Sequence, residues 1–197
     1  MTRMKRLYGD SRTQIEPIKE TNIQFKYRVR DYYIKSSYNS CSCGDFGNGY
    51  VSLDALREII RQGVRFLDFE IYSVGGKAVV AASKDDNFNI KGTLNSLPIA
   101  DVFKLIKKNA CNTVGGSNIC PNPSDPLFIN LRIKSNKNDI YNEIAHILTI
   151  NFDNLLSKYN KKYAFECNGH NLGNEGLINL KNQVVIICDR ANANYRK

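Results

Sequence analysis

Gly63-Val64-Arg65-Phe66-Leu67-Asp68-Phe69-Glu70-Ile71-Tyr72 is the stretch on which the fold turns. Val64–Tyr72 alternates as a strand, and its two acids, Asp68 and Glu70, stand at i and i+2 and so share one face. Upstream, residues 52–63 (SLDALREIIRQG) read as a helix. Ser52 can cap its first turn, Leu53, Leu56, Ile59 and Ile60 share a face, and Gly63 ends it. Downstream, Gly75-Gly76 turns the chain into a second short strand, Ala78–Ala82, which predicts a hairpin.

Further out the alternation of strand and helix continues. A helix is predicted over Leu97–Cys111, starting around Pro98. Strands are predicted over Leu127–Ile133 and Gln183–Asp189, a long helix or two shorter ones over Asn138–Tyr159, and a short strand over Lys162–Phe165. Phe25–Lys35, with Tyr, Val and Ile between charges, also reads as a strand. Three units follow: a polar arm 1–24 lying outside the core, a domain 25–189, and a polar tail 190–197. The class is α/β with a largely parallel sheet. The count of βα units falls short of the eight of a closed barrel, and the last strand leaves an open edge.

The 197 residues suit one core, with 42% hydrophobic and 10% aromatic residues. No apolar run reaches the about 20 residues of a membrane helix. Residues 1–30 show no apolar signal region, so synthesis in the cytosol is expected. The net charge of +9 favours anionic partners, yet the basic residues are dispersed and no nucleic-acid-binding motif accompanies them. The six cysteines show neither Cys-x-x-Cys nor zinc-ligand spacing. Cys111 and Cys120 bracket a Gly/Asn loop and could pair, though reduced thiols are expected in the cytosol.

Five segments, in order, resemble the X region of phosphatidylinositol-specific phospholipases C. Residues 34–40 (IKSSYNS) resemble its opening strand and Ser-Ser-His-Asn-Thr signature. Residues 63–72 resemble the strand bearing Glu-Leu-Asp, and 78–83 (AVVAAS) the strand ending in a histidine. Residues 126–132 (PLFINLR) and 180–187 (LKNQVVII) resemble two later strands. The resemblance implies an incomplete, X-half-only β/α barrel of the TIM type. It also implies phosphodiester cleavage by a neighbouring hydroxyl, with two histidines moving protons and calcium held by oxygens of Asn, Glu and Asp.

On that resemblance the catalytic positions hold Tyr38 and Ala82. A phenol ionising near about 10 is a poor base at neutral pH, and alanine transfers no proton. The calcium positions hold Asn39, Asp68, Glu70 and Arg132. A guanidinium only donates and cannot bind a metal, so calcium and any other cofactor are expected to be absent, and Arg132 is expected to pair with Asp68 and Glu70. The expectation is therefore a catalytically inactive domain, not an enzyme, serving as a structural or interaction module among other protein chains. The Asn/Lys-rich composition and a likeness to proteins of large DNA viruses extend this to a minor capsid component of a virion. The alternatives are a binder of inositol phosphate or lipid headgroups, and an active phosphoric diester hydrolase with a relocated site. His170, in a loop, and Arg65 are the further candidate residues; Lys35, Lys84 and Lys91 are candidate phosphate contacts, and His146 falls on a helix.

Overall fold

The computed structural model describes residues 17–19, 21, 27–44, 48–84, 88–113, 115, 119–156 and 171–189. Its regular elements are β1 (Ser36–Ser37), α1 (Leu53–Arg61), β2 (Phe66–Val74), β3 (Lys77–Ala81), β4 (Leu97–Pro98), α2 (Ile99–Ala110), β5 (Leu127–Lys134), α3 (Asn138–Phe152) and β6 (Val184–Cys188), with single 3₁₀ turns at Val29–Asp31, Leu172–Asn174 and Leu177–Leu180. One sheet runs in the order β4-β3-β2-β5-β6, and β1 adds to β2. The pairs β1–β2, β2–β5 and β5–β6 are parallel, while β2–β3 and β3–β4 are antiparallel. Among the described residues the sheet does not close into a barrel, as expected for an incomplete one.

Local signals explain most of these elements. The Ser52 side chain accepts a hydrogen bond from the Asp54 N–H at 3.1 Å and caps α1. Gly75 and Gly76 both have positive φ, 57° and 78°, which lets a two-residue turn join β2 to β3. Alternation along β2 and β5 then separates two faces. Leu67, Phe69, Ile71, Ile129, Leu131 and Ile133 are buried with Leu56, Ile60, Val102, Phe103, Ile106 and Ile140 of the three helices in one core. The opposite face carries Asp68, Glu70, Tyr72, Asn130 and Arg132, so the acids that broke the hydrophobic pattern fall on the side away from the described helices.

The foot of that second face is covered by the chain itself. Phe128 and Val185 pack in a smaller cluster with Ile18, Val29, Leu177 and Leu180. Ile18 thus departs from the reading of the first residues as an arm outside the core, because one apolar side chain is buried there. Its backbone N–H donates to Asp125 Oδ1 at 2.8 Å. Ile18→Ala is expected to lower the unfolding free energy by about 2 kcal/mol, the low end for a buried isoleucine, visible as a lower urea midpoint. An unchanged midpoint would show that the contact adds nothing.

Two further sequence readings are corrected. Over the described part of Phe25–Lys35 the chain forms the Val29–Asp31 turn in place of a strand, and only Ser36–Ser37 joins the sheet. The reason is local: Asp31 Oδ2 accepts the Arg28 N–H, and only Val29 among these residues is buried. The long helix ends at Phe152, after which Leu156 bridges Val184 at the start of β6. The strand expected at Lys162–Phe165 lies outside the described residues.

Candidate functional site

The parallel register sets Glu70 beside Arg132 and Asp68 beside Asn130 on the face away from the described helices. Arg132 reaches across from β5 to β2. Its Nε donates to Asp68 Oδ2 at 3.0 Å and its Nη2 to Asp68 Oδ1 at 2.6 Å, a two-pronged grip on one carboxylate. Nη1 donates to Glu70 Oε1, and Nη2 also donates to Asn39 Oδ1 at 2.7 Å. The Arg132 side chain is 13% exposed and the two acids 7% each.

Neighbours hold the acids in place. Asp68 Oδ1 accepts the Asn39 N–H at 3.1 Å and Oδ2 accepts Asn130 Nδ2 at 2.8 Å. Glu70 Oε2 accepts the Tyr72 hydroxyl and the Ser83 N–H, each at 2.9 Å. Asn39 sits at φ 45°, a left-handed conformation that asparagine tolerates better than most residues. This turn follows β1, and Ser40 continues along β2 by donating its N–H to the Asp68 carbonyl at 2.8 Å.

The electrostatics follow from burial and pairing. Burial alone lowers the Arg132 pKa, but hydrogen bonds and charge from Asp68, and then the charge of Glu70, outweigh it and raise the value. Burial also pushes the Tyr72 phenol up, and Glu70 adds to the rise. One guanidinium therefore bridges two acidic side chains.

Tyr38 and Ala82 behave differently. Tyr38 is 65% exposed, and the Arg132 guanidinium lies 4.5 Å from its ring centroid, a cation–π contact. Ala82 is fully buried, and its N–H donates to Thr93 Oγ1 at 3.3 Å. The neighbouring backbone, through Ser83, reaches the cluster in its place. Beside the cluster an open depression of about 330 Å³ is lined by Ser36, Ser37, Tyr38, Phe66 and Asp68.

The remaining candidates lie elsewhere. Arg65 bonds to the carbonyls of Ala110, Asp125 and Pro126 and does not join the cluster. Lys35 Nζ donates to the Gln62 carbonyl at 2.7 Å. Lys84, Lys91 and His146 are exposed, and His170 lies outside the described residues. Asn130 and Tyr72 were missed by sequence reasoning, although each follows a site residue's face at i, i+2 spacing: Tyr72 after Glu70, and Asn130 before Arg132.

Asn39, Asp68 and Glu70 each turn an oxygen to the Arg132 guanidinium. Among the described residues no cluster of three His, Cys, Asp or Glu side chains could hold a metal ion, and no helix is long and apolar enough to cross a membrane.

Residues 25–188 match the family model for the phosphatidylinositol-specific phospholipase C X domain. The structure is similar to crystal structures of PLC21 from L. pealei (18% identity, TM-score 0.61) and from S. officinalis (19% identity, TM-score 0.61). Each similarity covers 82% of this chain but 18% of the other, so the chain spans less than a fifth of those phospholipases. No curated protein sequence matches the chain. The match to a family of phosphodiester-cleaving enzymes corrects the expectation that the chain is not an enzyme.

Proposed function

The chain belongs to the phosphatidylinositol-specific phospholipase C X-domain family, and from that premise we propose that the Arg132 cluster binds and cleaves a lipid-headgroup phosphodiester without calcium. One observation carries this reading: the guanidinium stands among the oxygens that would otherwise hold the metal. Arginine has five N–H donors. Four are used here, one on Nε, one on Nη1 and two on Nη2. The second hydrogen of Nη1 is left to meet a phosphate oxygen.

The chemistry follows from that arrangement. A hydroxyl attacks phosphorus, the new P–O bond forms, and the P–O bond to the lipid alcohol breaks. Negative charge gathers on the non-bridging oxygens, and a fixed cation in a partly buried site stabilises it. Glu70 Oε1 accepts one observed hydrogen bond, whereas each Asp68 oxygen accepts two, so Glu70 has the spare capacity to take the proton of the attacking hydroxyl. Tyr38, 65% exposed, would give its phenol proton to the leaving alkoxide, and the proton taken by Glu70 would restore the phenol through solvent.

Turnover of phosphatidylinositol vesicles is expected to persist in excess chelator. It is expected to fall by about 100-fold in Arg132→Lys, which keeps the charge and loses the fork. Turnover that depends on added calcium would sink the proposal. Nothing in the fold or the site speaks for a structural role in a virion.

A further inference from the structure

Away from the Arg132 cluster, Arg65 gathers two cysteines around one cation. Its Nη1 donates to the Ala110 carbonyl at 2.7 Å and lies 3.5 Å from Cys120 Sγ. That carbonyl belongs to the peptide bond leading into Cys111, so one nitrogen touches the approach to one cysteine and the sulfur of the other. On the far side of Cys111, Asn112 Nδ2 donates to Ser124 Oγ at 3.4 Å, which again lays this chain beside residues 119–126. Both cysteines are free thiols in the same core cluster, 6% and 3% exposed. A disulfide needs Cα atoms about 4.4–6.8 Å apart, a closeness that the contacts flanking Cys111 favour.

The two thiols differ in a way that orders their chemistry. Burial pushes the Cys111 thiol up to about 11; the Arg65 cation pulls it the other way, and charge on Cys120 adds to the rise. Cys120 Sγ donates to Asn122 Oδ1 at 3.3 Å while Arg65 Nη1 donates to the sulfur. Charge left on this sulfur when its proton departs therefore faces a guanidinium. Between the cysteines Asn112 and Gly115 are exposed, so the connecting chain reaches solvent. Phosphodiester cleavage at the Arg132 cluster uses neither sulfur.

We propose that Cys111 and Cys120 are a dithiol that a small-molecule disulfide converts reversibly into an intrachain bridge, a redox-sensitive tie between the end of α2 and the segment entering β5. The Cys120 thiolate attacks one sulfur of the small disulfide, whose S–S bond breaks and releases a first thiolate. Cys111 gives its proton to that thiolate, attacks Cys120 Sγ and expels the second. The second takes up from solvent the proton that Cys120 lost. Two protein thiols are oxidised, and one small disulfide is reduced to two thiols.

Closing a loop of about ten residues restricts the unfolded chain and is expected to lower the unfolding equilibrium constant about 100-fold. By the same cycle, oxidised glutathione is expected to form the bridge about 100-fold more favourably in the native protein than in the urea-unfolded chain. Native protein equilibrated with oxidised and reduced glutathione is expected to lose two hydrogens in mass, to give a peptide pair joined through Cys111 and Cys120, and to revert with dithiothreitol. Cys111→Ser and Cys120→Ser should each abolish the bridge, whereas Cys43→Ser, at an exposed thiol, should leave it intact. Glutathione adducts at single cysteines without a Cys111–Cys120 linkage overturn the assignment, as does a linkage no more favourable than in the unfolded chain. Loss of phosphatidylinositol turnover with the bridge still forming would refute the cleavage reading alone.

Discussion

Arg132→Ala is expected to lower the unfolding free energy by about 3 to 5 kcal/mol, the range seen when one partner of a buried ion pair is removed. The magnitude rests on what stays behind. Asp68 and Glu70 would keep their places on β2, each 7% exposed, with two carboxylates facing one another and no cation between them. Asn39, Asn130, Tyr72 and Ser83 would still donate to them, but none of these carries charge. The Arg132 guanidinium also lies over the Tyr38 ring, so the ring would lose its partner. A triple variant, Asp68→Asn with Glu70→Gln and Arg132→Leu, separates the causes. It removes all three charges at nearly constant volume, and most of the lost stability is expected to return, since neutral replacements of buried ion pairs are often near neutral in effect. Urea unfolding would measure both. If Arg132→Ala loses less than about 1 kcal/mol, as an exposed pair would, the cluster is solvated and its guanidinium is not held as described.

This cluster shows how far residue spacing carries and where it stops. Asp68 and Glu70 at i and i+2 must share a strand face, and a parallel partner strand with Arg132 in register brings the cation to them. Both facts are legible once β2 and β5 are recognised. The turn Gly75-Gly76 likewise dictates the hairpin, and the apolar stripe of α1 dictates which face of that helix is buried. What spacing does not reveal is which face of β2 the described helices cover, since that depends on all three packing on the same side.

Other features were hidden because they depend on contacts distant in sequence. Ile18 looks like one apolar residue in a polar segment, and its burial depends on Phe128, Leu177, Leu180 and Val185, all distant in sequence. Residues 27–35 alternate in type, yet Tyr33 is fully exposed and Tyr27 more than half exposed, so the alternation marks no buried face. Tyr38 is readable as a departure from histidine, but its stacking on Arg132 follows only from the fold. The inference of no enzyme is overturned by the family match over residues 25–188, which the substituted positions Tyr38 and Ala82 did not foreshadow.

Arg65 is the second place where one substitution should act strongly, and by a different mechanism. Arg65→Met is expected to destabilise the protein by about 3 kcal/mol, through three orphaned carbonyls each worth about 1–3 kcal/mol and partly offset by losing a buried charge. Nη1 donates to the carbonyl of Ala110, the last residue of α2, at 2.7 Å, and Nε donates to the Pro126 carbonyl at 3.1 Å. Nη2 donates to the Asp125 carbonyl, and Cys120 Sγ lies 3.5 Å from Nη1. The side chain thus joins the C-terminal end of α2, where carbonyls lack helical partners and the dipole favours a cation, to the segment that leads into β5. Asp125 is bonded through its side chain to the Ile18 N–H and Asn122, so loosening this segment should also release Ile18. Hydrogen exchange is the discriminating measurement. Protection should fall first at the Ile18 amide and around residues 119–126, while amides of β2 and β5 opposite the Arg132 cluster should change only with global stability. Uniform loss across the sheet would mean that Arg65 supports the core as a whole, and unchanged stability would mean that its carbonyl bonds are replaced by water at no cost.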